Sequence, residues 1–214
     1  MILKPNEIEQ ESFRLIAQEF AQRGYSFAPG LLPLVMRVVH ATGDVSLAEA
    51  LVFHPSALEA GLSALAEGAS LVADVEMVAA GISKRLAQTL GAKVICLLND
   101  PDVPQEAQRS GLTRAYCAMK KALRLEGRKI LVIGNAPTAL LATLDHLQEG
   151  GVPPDLIIGV PVGFVGAAEY KARLQGQEVP FITLPGTRGG TPVAVALANA
   201  LLKLAVERCG SRVT

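Results

Sequence analysis

No excess charge of either sign marks this sequence of 214 residues, in which twenty Lys and Arg balance twenty Asp and Glu. A globally basic footprint for nucleic acid or anionic membrane is thereby excluded, and any affinity for an acidic ligand must be local. Cysteine is scarce: Cys96, Cys117 and Cys209 form no C-x-x-C pair, so disulfide and zinc readings fall away and inert, packed thiols are expected. No apolar run approaches the roughly 18 residues that span a bilayer, and the opening MILKPNEIEQE lacks the cationic-then-apolar layout of a signal peptide. A cytoplasmic protein is expected, with neither nucleic acid nor membrane as a partner. The three histidines, His40, His54 and His146, lie far apart without ligand spacing, so no protein-bound metal is expected. Two nucleotide signatures are also missing, the G-x-x-x-x-G-K-S/T loop and a G-x-G-x-x-G after the first strand. The glycines of GVPVGFVGAAE, at 159, 163 and 166, have the wrong spacing for a dinucleotide, and no G-x-S-x-G elbow of a hydrolase is present.

What the sequence does contain is an alternation. Half of the residues are apolar, enough for one sizeable core, and no repeat, low-complexity segment or linker divides residues 1–214, which read as a single domain. A first helix is expected after Asn6, with Glu9 closing a capping box and Ile8, Phe13, Ile16 and Phe20 forming its apolar side. A second runs from about Leu31 to His40, Pro33 falling in its first turn, and HPSALEAGLSALAEGA reads as a third, ended by Gly68. Five short apolar runs then read as strands, at 70–74, 93–98, 129–134, 155–160 and 180–184, with helices near 75–90, 107–126, 137–149, 166–175 and 190–208. Strands apolar on both faces and joined by helical crossovers imply a parallel sheet covered on each side. The expected class is α/β, a three-layer α/β/α sandwich around a parallel five-stranded sheet. The extra N-terminal helices are expected to pack on that sheet or on a partner subunit.

Open parallel sheets bind ligands beyond the carboxyl ends of their strands. The loops there are rich in Gly, Pro and small hydroxyls: Asp74 with VEMVAAG, NDPDVP, GNAPTAL, PVGFVGAAE and GTRGGT. Such loops suit close backbone approach and helix starts that face an anionic group, although any βα turn has similar needs. Among the histidines, His54 precedes Pro55 at a helix start, which suits a turn, and His146 lies on a polar helix where an exposed ring is expected. His40 differs because Arg37 shares its helical face and the last turn of a helix favours a protonated ring. A simple capping role and a catalytic one are both open on these grounds. Gly43 and Asp44 read as the helix stop.

Six segments in order, IEQESF, RVVHATGD, DVEMVAAGI, VIGNAPTAL, PVGFVGAAEYK and GTRGGTPVAVALANAL, resemble the precorrin-8X methylmutase family of corrin biosynthesis over most of the chain. The resemblance implies an isomerase that moves a methyl group from ring carbon eleven to ring carbon twelve. It would convert precorrin-8X to hydrogenobyrinate, or cobalt-precorrin-8 to cobyrinate, with no cofactor. It implies the strand order 3-2-1-4-5 and a homodimer with its site near the subunit interface. By the same resemblance His40 is the proton donor and acceptor, and Ser12 and Arg37 bind the tetrapyrrole; Arg114 stands at a matching position. The late motif ends in Thr191 where the family pattern has serine, and Tyr170 replaces a small polar residue. A non-catalytic corrinoid carrier is the alternative, against which the retention of a titratable ring beside Arg37 argues.

Overall fold

The structure, a computed structural model, describes residues 5–210, with side chains from Glu7 onward. It opens with α1 (Pro5–Arg23), α2 (Leu32–Thr42), α3 (Leu47–Ala50), a two-residue strand β1 (Val52–Phe53) and α4 (Ala57–Ala66). The alternation then runs β2 (Ser70–Ala73), α5 (Glu76–Gly81), α6 (Lys84–Thr89), β3 (Val94–Ile95), α7 (Val103–Ser110), α8 (Arg114–Leu123) and β4 (Lys129–Ile133). It finishes with α9 (Pro137–Gln148), β5 (Leu156–Gly159), α10 (Ala167–Gln175), β6 (Phe181–Thr183) and α11 (Thr191–Gly210).

Strand side chains alternate between two cores, as a pleated strand dictates. Leu71, Ala73, Ile130, Val132, Leu156 and Ile158 enter one core with residues of α2, α4 and α11. Val72, Leu131, Ile133, Ile157 and Phe181 enter the other with residues of α8 and α9. The three-layer α/β sandwich expected from the sequence is therefore present.

Its sheet corrects two details. Six strands take part, in the order β1-β6-β5-β4-β2-β3, with β1 antiparallel on β6 and the rest parallel. Counted among themselves, the five parallel strands follow 2-1-3-4-5 rather than 3-2-1-4-5. The crossover through α7 and α8 carries the chain from β3 past β2 and seats β4 on the far side. Winding thus reverses between β2 and β4, and their exit loops diverge there.

Two expected helices are each broken in two. Near 75–90 the break falls at Ser83, whose hydroxyl accepts from the Leu86 amide at 3.4 Å while its own amide donates to Asn199 Oδ1 at 2.8 Å. Near 107–126 it falls at Gly111, in the left-handed region, after which the Thr113 hydroxyl accepts from the Tyr116 amide and restarts the helix. Helix α1 already includes Pro5 and Asn6, so Asn6 lies within the helix and not before it; the side chain of Asn6 lies outside the described residues. Among the described residues no helix is long and apolar enough to cross a membrane.

Candidate functional site

Helix α2 is amphipathic in the way its sequence requires. Leu34, Val35, Val38 and Val39 are buried, and the helix lies along α11, which leaves Arg37 and His40 on the opposite ridge beside α1. Gly43 ends it in the left-handed region with its amide on the Val39 carbonyl at 2.8 Å, so Gly43 is the stop read from the sequence and His40 sits in the last turn.

From α1, Phe13 meets both side chains. Its ring centroid is 5.2 Å from that of His40, at an interplanar angle of 37°, and the Arg37 guanidinium carbon stands 4.7 Å from the same ring. Arg37 Nη1 donates to Glu9 Oε1 at 2.5 Å. That hydrogen bond holds the Glu9 carboxyl below its ordinary range, with the charges of Lys203 and His40 adding to the pull. Glu9 thus engages Arg37, a tertiary partner, instead of closing a box on its own helix. The ring nitrogens of His40 take no hydrogen bond among the described residues, and the residue is exposed. Ser12, one position before Phe13, is half-buried and donates its hydroxyl to the Ile8 carbonyl at 2.9 Å. A hollow of about 320 Å³ opens beside this group, walled by Phe13, Leu32, Met36, Arg37 and Lys203.

Ser12, Arg37 and His40 are therefore brought together, whereas Arg114 is not. Arg114 starts α8, on the other side of the sheet, and its Nη2 donates to the Leu98 carbonyl at 2.9 Å and to Asn99 Oδ1 at 2.7 Å. Asn99 in turn donates to Glu76 Oε1 at 3.3 Å, which makes a polar cluster over the end of β3. Neither remaining histidine shares the His40 setting. His54 Nδ1 lies 2.9 Å from the Ser56 hydroxyl within a turn, as expected, and His146 is half-buried, its Nε2 3.0 Å from the Val152 carbonyl. All three cysteines are free; Cys117 is buried, and burial pushes the half-buried Cys96 thiol up to about 11. No group of three or more His, Cys, Asp or Glu is placed to hold a metal among the described residues.

The diverging loops between β2 and β4 meet at Asp74. Its Oδ2 accepts from the amides of Asn135 and Ala136 at 2.8 and 2.7 Å, which fixes the GNAP turn, while its buried Oδ1 has no partner among the described residues. Loss of water raises the carboxyl above its ordinary range, outweighing the backbone hydrogen bonds that favour the anion. A raised folded-state value adds stability that is complete below the unfolded value and is lost as pH rises through the folded one. Acidification from neutrality should therefore favour the native protein over an Asp74→Asn variant, whose uncharged amide gains nothing. Urea unfolding of both at pH 7 and pH 4.5 checks this, and a stability gap that stays constant or shifts toward the variant on acidification contradicts it.

In the loop after β5, large apolar side chains stand in solvent: Phe164 is 94% exposed and Val165 89%, with Val162 exposed beside them, and Met77 in α5 is exposed as well. Tyr170 lays its ring over Gly166, where a Cβ would stand 2.5 Å from it.

A doubly wound sheet that carries, on helices over one of its faces, a histidine and an arginine sharing one aromatic ring defines an α/β protein with a candidate acid–base site. The model of the precorrin-8X methylmutase family matches residues 7–204. The chain belongs to that family. It is 42% identical over 205 residues to the cobalt-precorrin-8 methylmutase of Priestia megaterium, covering 96% of this chain and 90% of the relative. It is 43% identical over 197 residues to the precorrin-8X methylmutase of Pseudomonas aeruginosa, covering 91% and 93%. Among solved structures, the precorrin-8X methylmutase of Thermus thermophilus superposes with a TM-score of 0.86 at 38% identity, covering 94% of this chain and 96% of that one. The family is one of isomerases, so the carrier reading finds no support.

Proposed function

We propose that the protein carries a methyl group from ring carbon eleven to ring carbon twelve of a tetrapyrrole, turning precorrin-8X into hydrogenobyrinate or cobalt-precorrin-8 into cobyrinate. The observation that carries the site assignment is the shared ring: one aromatic side chain, Phe13, meets both the imidazole of His40 and the guanidinium of Arg37. Methyl migration within a conjugated ring is easier when a proton redistributes the π electrons. His40 supplies and retrieves that proton, an acid–base contribution typically of about 10²–10⁴-fold. Arg37 takes a peripheral carboxylate through the part of its fork that Glu9 leaves open. Ser12 turns its hydroxyl from Ile8 to the substrate. Arg114, on its separate cluster, reaches another carboxylate only if the macrocycle spans the sheet edge or comes from a second subunit.

The size of the hollow supports a homodimer. About 320 Å³ lies at the small end of ligand pockets and does not enclose a macrocycle with its acidic arms. Phe164 and Val165, nearly free of contacts in one chain, supply apolar surface of the kind that a flat ring or a second subunit covers. Precorrin-8X is converted with a change of absorption, so incubation with purified protein tests the reaction directly; an unchanged spectrum with both the metal-free and the cobalt substrate rejects it. Arg37→Ala should weaken binding of hydrogenobyrinate by on the order of 2 kcal/mol, because a partly buried carboxylate then loses its cation. Unchanged affinity in an absorbance titration would return Arg37 to the role of a surface charge.

A further inference from the structure

Lys171 is the one charged side chain with no accessible surface among the described residues. Burying an ammonium is costly unless its donors are satisfied. Lys129, the other buried lysine, reaches two carbonyls, those of Leu125 and Gly127. Lys171 reaches one: its Nζ donates to the Arg188 carbonyl at 2.6 Å. Burial draws its ammonium down to about 8, so the charge persists at neutral pH at a cost to stability. A cation kept there does something that an apolar side chain of the same length would not.

What it holds is the loop between β6 and α11. The Thr187 carbonyl accepts from the Gly163 amide at 3.1 Å, and the Gly190 amide donates to the Val160 carbonyl at 2.9 Å. Gly189 and Gly190 take φ values of 148° and 116°. Lys171 draws the intervening Arg188 carbonyl inward, and the Arg188 side chain consequently faces out. Arg188 Nη1 donates to the Ser46 hydroxyl at 2.8 Å and stands 3.5 Å from Asp44 Oδ2, six and four residues beyond His40 in the chain. An exposed pair at that distance adds almost nothing to stability. Its Nε and Nη2 make no hydrogen bond among the described residues, so one edge of the guanidinium is open to a carboxylate.

We propose that Arg188 is a further substrate-binding arm, taking a second peripheral carboxylate of the macrocycle beside His40, and that Lys171 is the positioning residue that aims it. The inference rests on the tetrapyrrole reading above. It explains why a fully buried cation is retained at a single carbonyl: the loop conformation serves the ligand and not the core.

The test is an absorbance titration with hydrogenobyrinate, which needs no turnover, repeated with cobyrinate. Arg188→Ala should weaken binding about tenfold, and Arg188→Lys, which restores charge without the fork, should recover part of the loss. Lys171→Met should weaken binding to a similar extent. The double variant should bind no worse than Arg188→Ala alone, because both act through one arm. A merely structural Lys171 would instead add its loss in full to that of Arg188→Ala, and this outcome overturns its assignment. Unchanged affinity in Arg188→Ala overturns the arm; that variant is exposed and carries the test even if Lys171→Met does not fold. Wild-type protein that binds neither pigment rejects the tetrapyrrole reading itself, and this inference with it.

Discussion

His40→Ala should bind hydrogenobyrinate within two- to threefold of the wild-type affinity and convert precorrin-8X about 10²–10⁴-fold more slowly. The separation of the two effects follows from the site. The imidazole is exposed and accepts no structural hydrogen bond among the described residues, so its removal leaves α2 capped by Gly43 and Arg37 still stacked on Phe13. Only the proton is lost. Full turnover in His40→Ala would move the acid–base role to another residue; loss of binding together with turnover would make the histidine a ligand contact instead of a proton carrier.

Gly189→Ala is expected to cost about 3 kcal/mol of stability or more in urea unfolding, and to weaken pigment binding as well. At φ 148° a Cβ would lie 2.2 Å from the Val160 carbonyl oxygen and 3.0 Å from its carbon. Backbone strain at such a position contributes about 1–3 kcal/mol, and a clash with main chain that cannot swing aside contributes a similar amount. Relief of the clash requires the loop to lift from the exit of β5, which carries Arg188 with it. Stability within 0.5 kcal/mol of wild type would show that the loop adapts freely. Gly111→Ala is the useful contrast, because its added Cβ meets nothing within 4 Å and the left-handed strain acts alone.

Much of this architecture is legible in the sequence, for an identifiable reason. The runs SLVA, KILVI and LIIG are almost wholly buried in the structure, and continuous burial is what an unbroken apolar run encodes. Strand β1 has two residues, too few for any period to show, and its pairing with β6 is a tertiary event. The strand order depends on which side of β2 the crossover through α7 and α8 returns, and no strand's own pattern records that. At the site, helical spacing places Arg37 and His40 on one ridge, while the roles of both, and of Ser12, rest on family resemblance. Phe13 was hidden by ambiguity: with Ile16 and Phe20 it reads as one apolar side, yet Phe20 is buried and Phe13 lies at the rim between the two functional side chains. Lys171 was hidden more thoroughly, since lysine on a short helix reads as solvated, and only the packing around it shows that it is sealed from water.

Helix α1 contributes no strand and no crossover to the sheet; it packs chiefly on α2, yet it supplies the ring that Arg37 and His40 share. Elements held by few contacts open at a small fraction of the global unfolding free energy. Detachment of α1 would leave the sheet and its two cores standing while the aromatic face, Glu9 and Ser12 depart together. The population of enzyme ready to act is then set by the docking equilibrium of one peripheral helix, and apparent affinity for the pigment falls in proportion to the undocked fraction. Amide exchange along α1 should slow when pigment binds, with the strands unaffected. Substitutions on the α1–α2 seam other than at Ser12, Phe13, Arg37 and His40 would change how many molecules are competent at a given moment, and leave the rate at which each competent one works untouched.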